Sequence, residues 1–84
     1  MASYRITIKR SASKELEKIA LQDRKRIIEK IRSLASDPRP PGSKKLSGQE
    51  KYRLRQGDYR ILYLIEDGEL VIMVVKIGHR RDVY

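Results

Sequence analysis

The chain's only histidine, two arginines and a tyrosine lie together in Gly78-His79-Arg80-Arg81-Asp82-Val83-Tyr84, directly after an apolar run. Upstream, Tyr52-Arg53-Leu54-Arg55 and Gly57-Asp58-Tyr59-Arg60-Ile61-Leu62-Tyr63 set further arginines between apolar residues. These side chains suit phosphodiester chemistry. RNA carries its own nucleophile, the 2′-hydroxyl, so breaking a linkage needs in-line geometry, a proton acceptor, charge stabilisation on the phosphate and a donor to the leaving oxygen. An arginine guanidinium stays protonated and offers a planar fork to phosphate oxygens, which makes it a good stabiliser and a poor proton acceptor. Histidine and tyrosine side chains, here His79 and Tyr84, can move protons or stack on a base. A solvated basic tail has the same composition without any chemistry, so what matters is whether the fold brings these groups together.

The elements that must position them are legible as patterns. Residues 3 to 9 alternate, with Tyr4, Ile6 and Ile8 on one face, as in a half-buried strand. From Ser11 the spacing changes to threes and fours, through Leu16, Ile19 and Ala20, then Ile27, Ile28, Ile31, Leu34 and Ala35. That predicts two helices, or one broken helix, over 11 to 36. The apolar register shifts at Ala20 to Gln22, which predicts the break there and puts Asp23 in the first turn of the second helix, where its charge suits the macrodipole. Pro38, Pro40, Pro41, Gly42 and Gly48 predict a loop over 37 to 48. Strands follow at Tyr52 to Arg55, Tyr59 to Ile65 and Leu70 to Ile77, with a turn at Glu66-Asp67-Gly68-Glu69 whose glycine tolerates a positive φ. Leu70 to Val75 is apolar on both faces, which places that strand centrally. The expected fold is α+β in the order β-α-α-β-β-β, with both helices on one face of a small, curved, mainly antiparallel sheet.

Composition narrows the function classes. A chain of 84 residues is expected to form a single domain, 1–84, with a small core. Lysine and arginine number 20 against 11 acidic residues, a formal charge of +9, which is the footprint of a polyanion partner. Nucleic acid fits best. An acidic protein satisfies the same electrostatics, whereas a membrane does not fit, because no cationic helix has a broad apolar face with aromatic anchors. The absence of cysteine excludes disulfides and thiolate ligands, and scattered carboxylates with one histidine make no metal cluster, so metal-free chemistry without a cofactor is expected. The longest apolar run, Leu70 to Val75, is far too short to span a bilayer, and the N-terminal residues lack an apolar signal core, so a cytoplasmic location is expected.

Arg53 and Arg55, two apart on a strand, share one face while Tyr52 and Leu54 point to the other. Arg60 shares its side of the next strand with Leu62 and Leu64. If that side faces away from the helices, Arg60 joins Arg53 and Arg55, and the two leucines need cover. Like charges on adjacent strands repel unless an anion sits between them.

In the order of strand, paired helices, Pro-rich loop, Lys45-Leu46-Ser47-Gly48, and the closing Gly78-His79-Arg80 and Tyr84, nearly the whole chain resembles the RelE branch of the RelE/ParE toxin family. The resemblance implies a metal-independent endoribonuclease that cuts mRNA in the ribosomal A site of the 70S ribosome by 2′-hydroxyl attack, leaving a cyclic phosphate, and that a cognate acidic antitoxin neutralises. It implies that Arg60 and Arg80 hold and polarise the scissile phosphate or protonate the leaving oxygen, and that Tyr84 stacks on a base and orients the nucleophile. Arg53 and Arg55 match positions that are lysines in RelE itself, one of them proposed as general base. Lys45, Lys51 and Arg81 complete the expected RNA-binding set. Arginine in place of lysine keeps the charge but nearly removes proton acceptance, so His79 is expected to take part of the proton-transfer role. Two other readings stay open: a ParE-like gyrase inhibitor with no hydrolytic site, and a non-catalytic RNA-binding or ribosome-associated protein.

Overall fold

Strand β1 (Arg5–Ile8) sends Ile6 toward the core, as its alternation requires. The structure, a computed structural model, describes residues 3–46, 48, 50–79 and 81. Helices α1 (Arg10–Glu17) and α2 (Leu21–Ser33) follow, burying Ala12 and Leu16 from the first and Ile27 and Ile31 from the second. Ile19 and Leu34, just beyond the two helices, are buried with them. The break falls at 18–20, slightly ahead of the expected site, because α1 closes in a tight turn. There Lys18 N–H donates to Glu15 O at 3.2 Å and Ile19 N–H to Leu16 O at 3.1 Å. Arg24 then reaches back from α2, donating to Glu17 O at 3.3 Å and to Ile19 O at 3.1 and 3.3 Å. A cation on the carbonyl end of α1 satisfies groups that the helix leaves open. Asp23 lies in the first turn of α2, as expected.

The sheet has five strands in the order β1-β5-β4-β3-β2, where β2 is Lys44–Lys45, β3 Lys51–Gln56, β4 Tyr59–Glu66 and β5 Val71–His79. The expected element order needs one correction. The Pro-rich segment ends in a two-residue strand, β2, paired antiparallel to β3, so the order is β-α-α-β-β-β-β. The sheet is mainly antiparallel, as expected, with β1 parallel to β5 and every other described pair antiparallel. The paired helices carry the chain from β1 at one edge of the sheet to β2 at the other, and β5 later inserts beside β1. The strand inferred to be central is central. In the β4–β5 turn the left-handed residue is Leu70, at φ 55°, not Gly68. The connection is a four-residue turn in which Glu69 and Leu70 N–H point back to Glu66 O and Asp67 O, both at 3.3 Å, so the reversal falls one residue before β5.

Leu54, Ile61, Tyr63, Ile65, Ile72, Val74 and Ile77 face the helices and form the core with them. Among the described residues, the opposite face of the sheet carries no helix. A bulge between Leu62 and Tyr63 pairs Leu62 with Lys76 and Tyr63 with Val74, leaving Val75 unmatched. Inward positions on β5 therefore run Ile72, Val74, Ile77, with a step of three at the bulge. Beyond Val74 there is no β1 left to pair with β5, and α1 takes its place. Glu15 Oε1 accepts from Ile77 N–H at 3.1 Å, and Oε2 from Lys76 Nζ at 3.2 Å. No described helix is long and apolar enough to cross a membrane.

Candidate nucleic-acid interface

Register decides which cations meet. Lys44 pairs with Arg53 across β2 and β3, and Arg55 pairs with Arg60 across β3 and β4. Arg53, Arg55 and Arg60 all lie on the helix-free face, since Tyr52, Leu54, Tyr59 and Ile61 between them pack against the core. Lys51, opposite Leu64, joins the same face. Directly opposed side chains start only about 5 Å apart at Cβ, so this face concentrates positive charge that a bound anion would neutralise. A cleft of about 290 Å³ opens there, lined by Gly42, Lys44, Arg53 and Arg55.

Of the leucines beside Arg60, Leu62 is only 6% exposed and lies in register between Arg53 and Lys76, and Leu64 is half-buried opposite Lys51. Gly78 sits opposite Arg60 on β5 and has no side chain to crowd the half-buried guanidinium.

The structure does not bring every expected residue to this face. Lys45 pairs with Tyr52 and so points to the other side of β2, where it makes an exposed ion pair with Glu50 at 3.8 Å. Its neighbour Lys44, which the sequence did not single out, lines the cleft instead. No local pattern distinguishes the two lysines, because only the pairing with β3 fixes which one turns toward Arg53.

His79 also lies away from the arginines. It pairs with Tyr59, on the helix side, and the two rings meet edge to face with centroids 5.7 Å apart. The bulge is the cause, since uninterrupted alternation from Ile72 and Val74 would have put His79 on the arginine face. Its Nδ1 accepts the Arg81 backbone N–H at 3.3 Å, which links the ring to the residue two positions on. Arg80 and Tyr84 lie outside the described residues.

A second cluster, which the sequence reading did not anticipate, sits at the far end of the sheet. Arg39, in the Pro-rich loop, donates to Asp67 Oδ1 at 3.3 Å and Oδ2 at 2.8 Å, and through Nε to Tyr52 Oη at 3.0 Å. Its guanidinium carbon also lies 5.3 Å from the centre of the Tyr52 ring. Tyr4 Oη donates to the same Asp67 oxygen at 2.7 Å, and Tyr63 Oη donates to Pro38 O at 2.9 Å. Hydrogen bonds from Arg39 and Tyr4 hold the Asp67 carboxyl below its ordinary range. Asp67 in turn raises the Tyr4 phenol, and burial pushes Tyr63 up to about 12. The motif of separated Arg39 and Asp67 carries no sequence signal, because the two lie 28 positions apart in the chain.

Chemically, the described face can bind and polarise a phosphate, but it offers only guanidinium and ammonium groups near the cleft. Residues 6–84 match a family described as the ParE toxin of the type II toxin-antitoxin system, parDE. A RelE-like toxin protein of Escherichia coli is 31% identical over 86 residues, covering 96% of this chain and 90% of that protein. Among solved structures, the toxin-antitoxin complex RelBE2 of Mycobacterium tuberculosis superposes with a TM-score of 0.85 at 25% identity, covering 98% of this chain and 97% of that one. The archaeal RelE-RelB complex of Pyrococcus horikoshii gives 0.85 at 29% identity, with 95% and 98% covered.

Proposed function

Because the chain belongs to the ParE toxin family of type II toxin-antitoxin systems, within the RelE/ParE superfamily, we propose that it is a toxin of the RelE kind. In this reading it is a metal-independent endoribonuclease that cuts mRNA in the A site of the 70S ribosome through attack of the 2′-hydroxyl. The observation that carries the proposal is the convergence of Arg53, Arg55 and Arg60 with Lys44 on one open face of the sheet. A backbone phosphate seated there would meet several charge-assisted donors, and Arg60 would stabilise the charge that develops as the 2′-oxygen attacks.

The remaining roles go to the tail. Arg80 protonates or shields the leaving oxygen and Tyr84 stacks on a base. His79, on the helix side of the sheet, acts through its hydrogen bond with the Arg81 N–H. Lys51 on β3 and Arg81 beyond β5 add phosphate contacts. A cognate acidic antitoxin neutralises the toxin, a partner supported by the RelE-RelB complexes among the structural relatives and by the charge of +9.

The experiment is in-vitro cleavage on translating ribosomes, with transcript ends mapped. Wild type yields cuts within the A-site codon and cyclic-phosphate ends, and Arg60→Ala lowers the rate on the order of a hundredfold, the effect of one transition-state contact. A ParE-like gyrase inhibitor is the second reading, favoured by the description of the matching family. Intact transcripts together with blocked DNA supercoiling would establish that reading in place of the first.

A further inference from the structure

The Pro-rich loop forms one wall of the cationic cleft, and its position rests on Arg39. From α2 the chain runs along the helix side of the sheet, where Pro38 O receives the Tyr63 hydroxyl. It then rounds the β3 edge to put Gly42 and Lys44 against Arg53 and Arg55. Gly42, at φ 94°, makes the corner, in a region that L side chains rarely adopt. After the corner β2 pairs with β3 over two residues and Leu46 N–H donates to Lys51 O at 2.8 Å, and so short a pairing is weak by itself. Before it, Arg39 clamps the loop to two separate elements at once, to Asp67 of the β4–β5 turn and to Tyr52 of β3. Tyr52 immediately precedes Arg53, and its ring stacks on Tyr63 at 5.8 Å. The clamp therefore lies on the helix side of β3, and the cleft on the opposite side.

We propose that the Arg39–Asp67 pair is a positioning device for the cleft, holding Lys44 in register with Arg53 so that an RNA phosphate meets both. The proposal rests on the cleft being an RNA site. Both partners of the pair are exposed, at 45% and 56% of their side-chain surface, so the pair adds little to global stability. Its effect falls on the loop that carries Lys44 to the cleft.

The test uses the full chain and a short single-stranded RNA made non-cleavable by 2′-O-methylation, with affinity measured across a salt series. Asp67→Asn raises the net positive charge by one and Arg39→Gln lowers it by one. Long-range electrostatics alone would move the two affinities in opposite directions. Positioning predicts that both weaken, by up to about tenfold, which is the loss of one charge-assisted contact, and that both lower the salt dependence by about one released ion. Lys44→Ala gives the same loss, and Asp67→Asn adds little to it in the double variant, whereas Arg55→Ala adds in full. Thermal melts check that each variant folds. Opposite shifts for Asp67→Asn and Arg39→Gln, or full additivity between Asp67→Asn and Lys44→Ala, overturns the positioning role while leaving the cleft intact. If Lys44→Ala, Arg53→Ala and Arg55→Ala all bind RNA as wild type does, the RNA site itself is refuted.

Discussion

Removing the carboxylate of Glu15 tests how the sheet is closed where β1 ends. Glu15 makes two contacts of different worth. The Ile77 N–H lies on a strand whose side chain is fully buried, so losing its acceptor leaves a desolvated donor, at a cost of about 1–3 kcal/mol. The Lys76 ion pair has 46% and 32% of its side-chain surface exposed, and such pairs contribute about 0.2–1 kcal/mol. Glu15→Ala loses both, about 2–3 kcal/mol, whereas Glu15→Gln keeps an oxygen for Ile77 and loses only about 0.5–1 kcal/mol. For a domain of this size each kcal/mol moves Tm by about 4–8 °C. The alanine variant should therefore melt about 10–20 °C below wild type and the glutamine variant within about 8 °C. Calorimetry gives the melting shift, and amide exchange at Ile77 separates the two contacts, with protection lost in the alanine variant and kept in the glutamine one. Equal destabilisation by alanine and glutamine, with Ile77 protected in both, would refute the argument that the carboxylate completes the sheet edge.

Lys44→Ala should weaken RNA binding and reduce its salt slope by about one, while Lys45→Ala leaves the slope within error, because register turns Lys45 to the opposite side; a filter-binding salt titration reads both. Stability should fall at both pH extremes for separate reasons. Asp67 ionises more readily folded than unfolded, so its contribution is complete above the ordinary carboxylate range and disappears as pH falls through the lower folded value. Tyr63 has its pKa raised to about 12 by burial, so its contribution is complete below about pH 10, the unfolded value, and disappears as pH rises toward 12. Asp67→Asn should flatten the acid limb only slightly, because its pair with Arg39 is exposed, and Tyr63→Phe should flatten the alkaline one, each followed by circular dichroism at stepped pH.

Much of the architecture could be read without coordinates because it rests on local periodicity. Tyr4, Ile6 and Ile8 alternate, and Ile27, Ile31 and Leu34 recur at helical spacing, so one face of each element must be buried whatever its partner. The same alternation put Arg53 and Arg55 on one face, and the apolar run from Leu70 marked the strand that lies between β1 and β4. Other features depend on which segment pairs with which. Nothing in Arg5–Ile8 specifies a parallel neighbour 66 residues away in register, as Arg5 has in Val71. The two-residue strand at Lys44 is extended only because β3 is there to pair with it.

What the sequence determined alone was the inventory and its local geometry: a basic, cysteine-free chain with paired helices and arginines facing one way on their own strands. What tertiary structure decided was which charges share a surface. A single unmatched residue, Val75, reverses the side on which every later β5 residue stands, sending His79 to Tyr59 and leaving Gly78 beside Arg60. Long-range pairing made Lys44, and not Lys45, a wall of the cleft, and brought Asp67 to Arg39. Side-chain direction follows from neighbouring residues only until register enters, and register is a property of two segments that the chain brings together by folding.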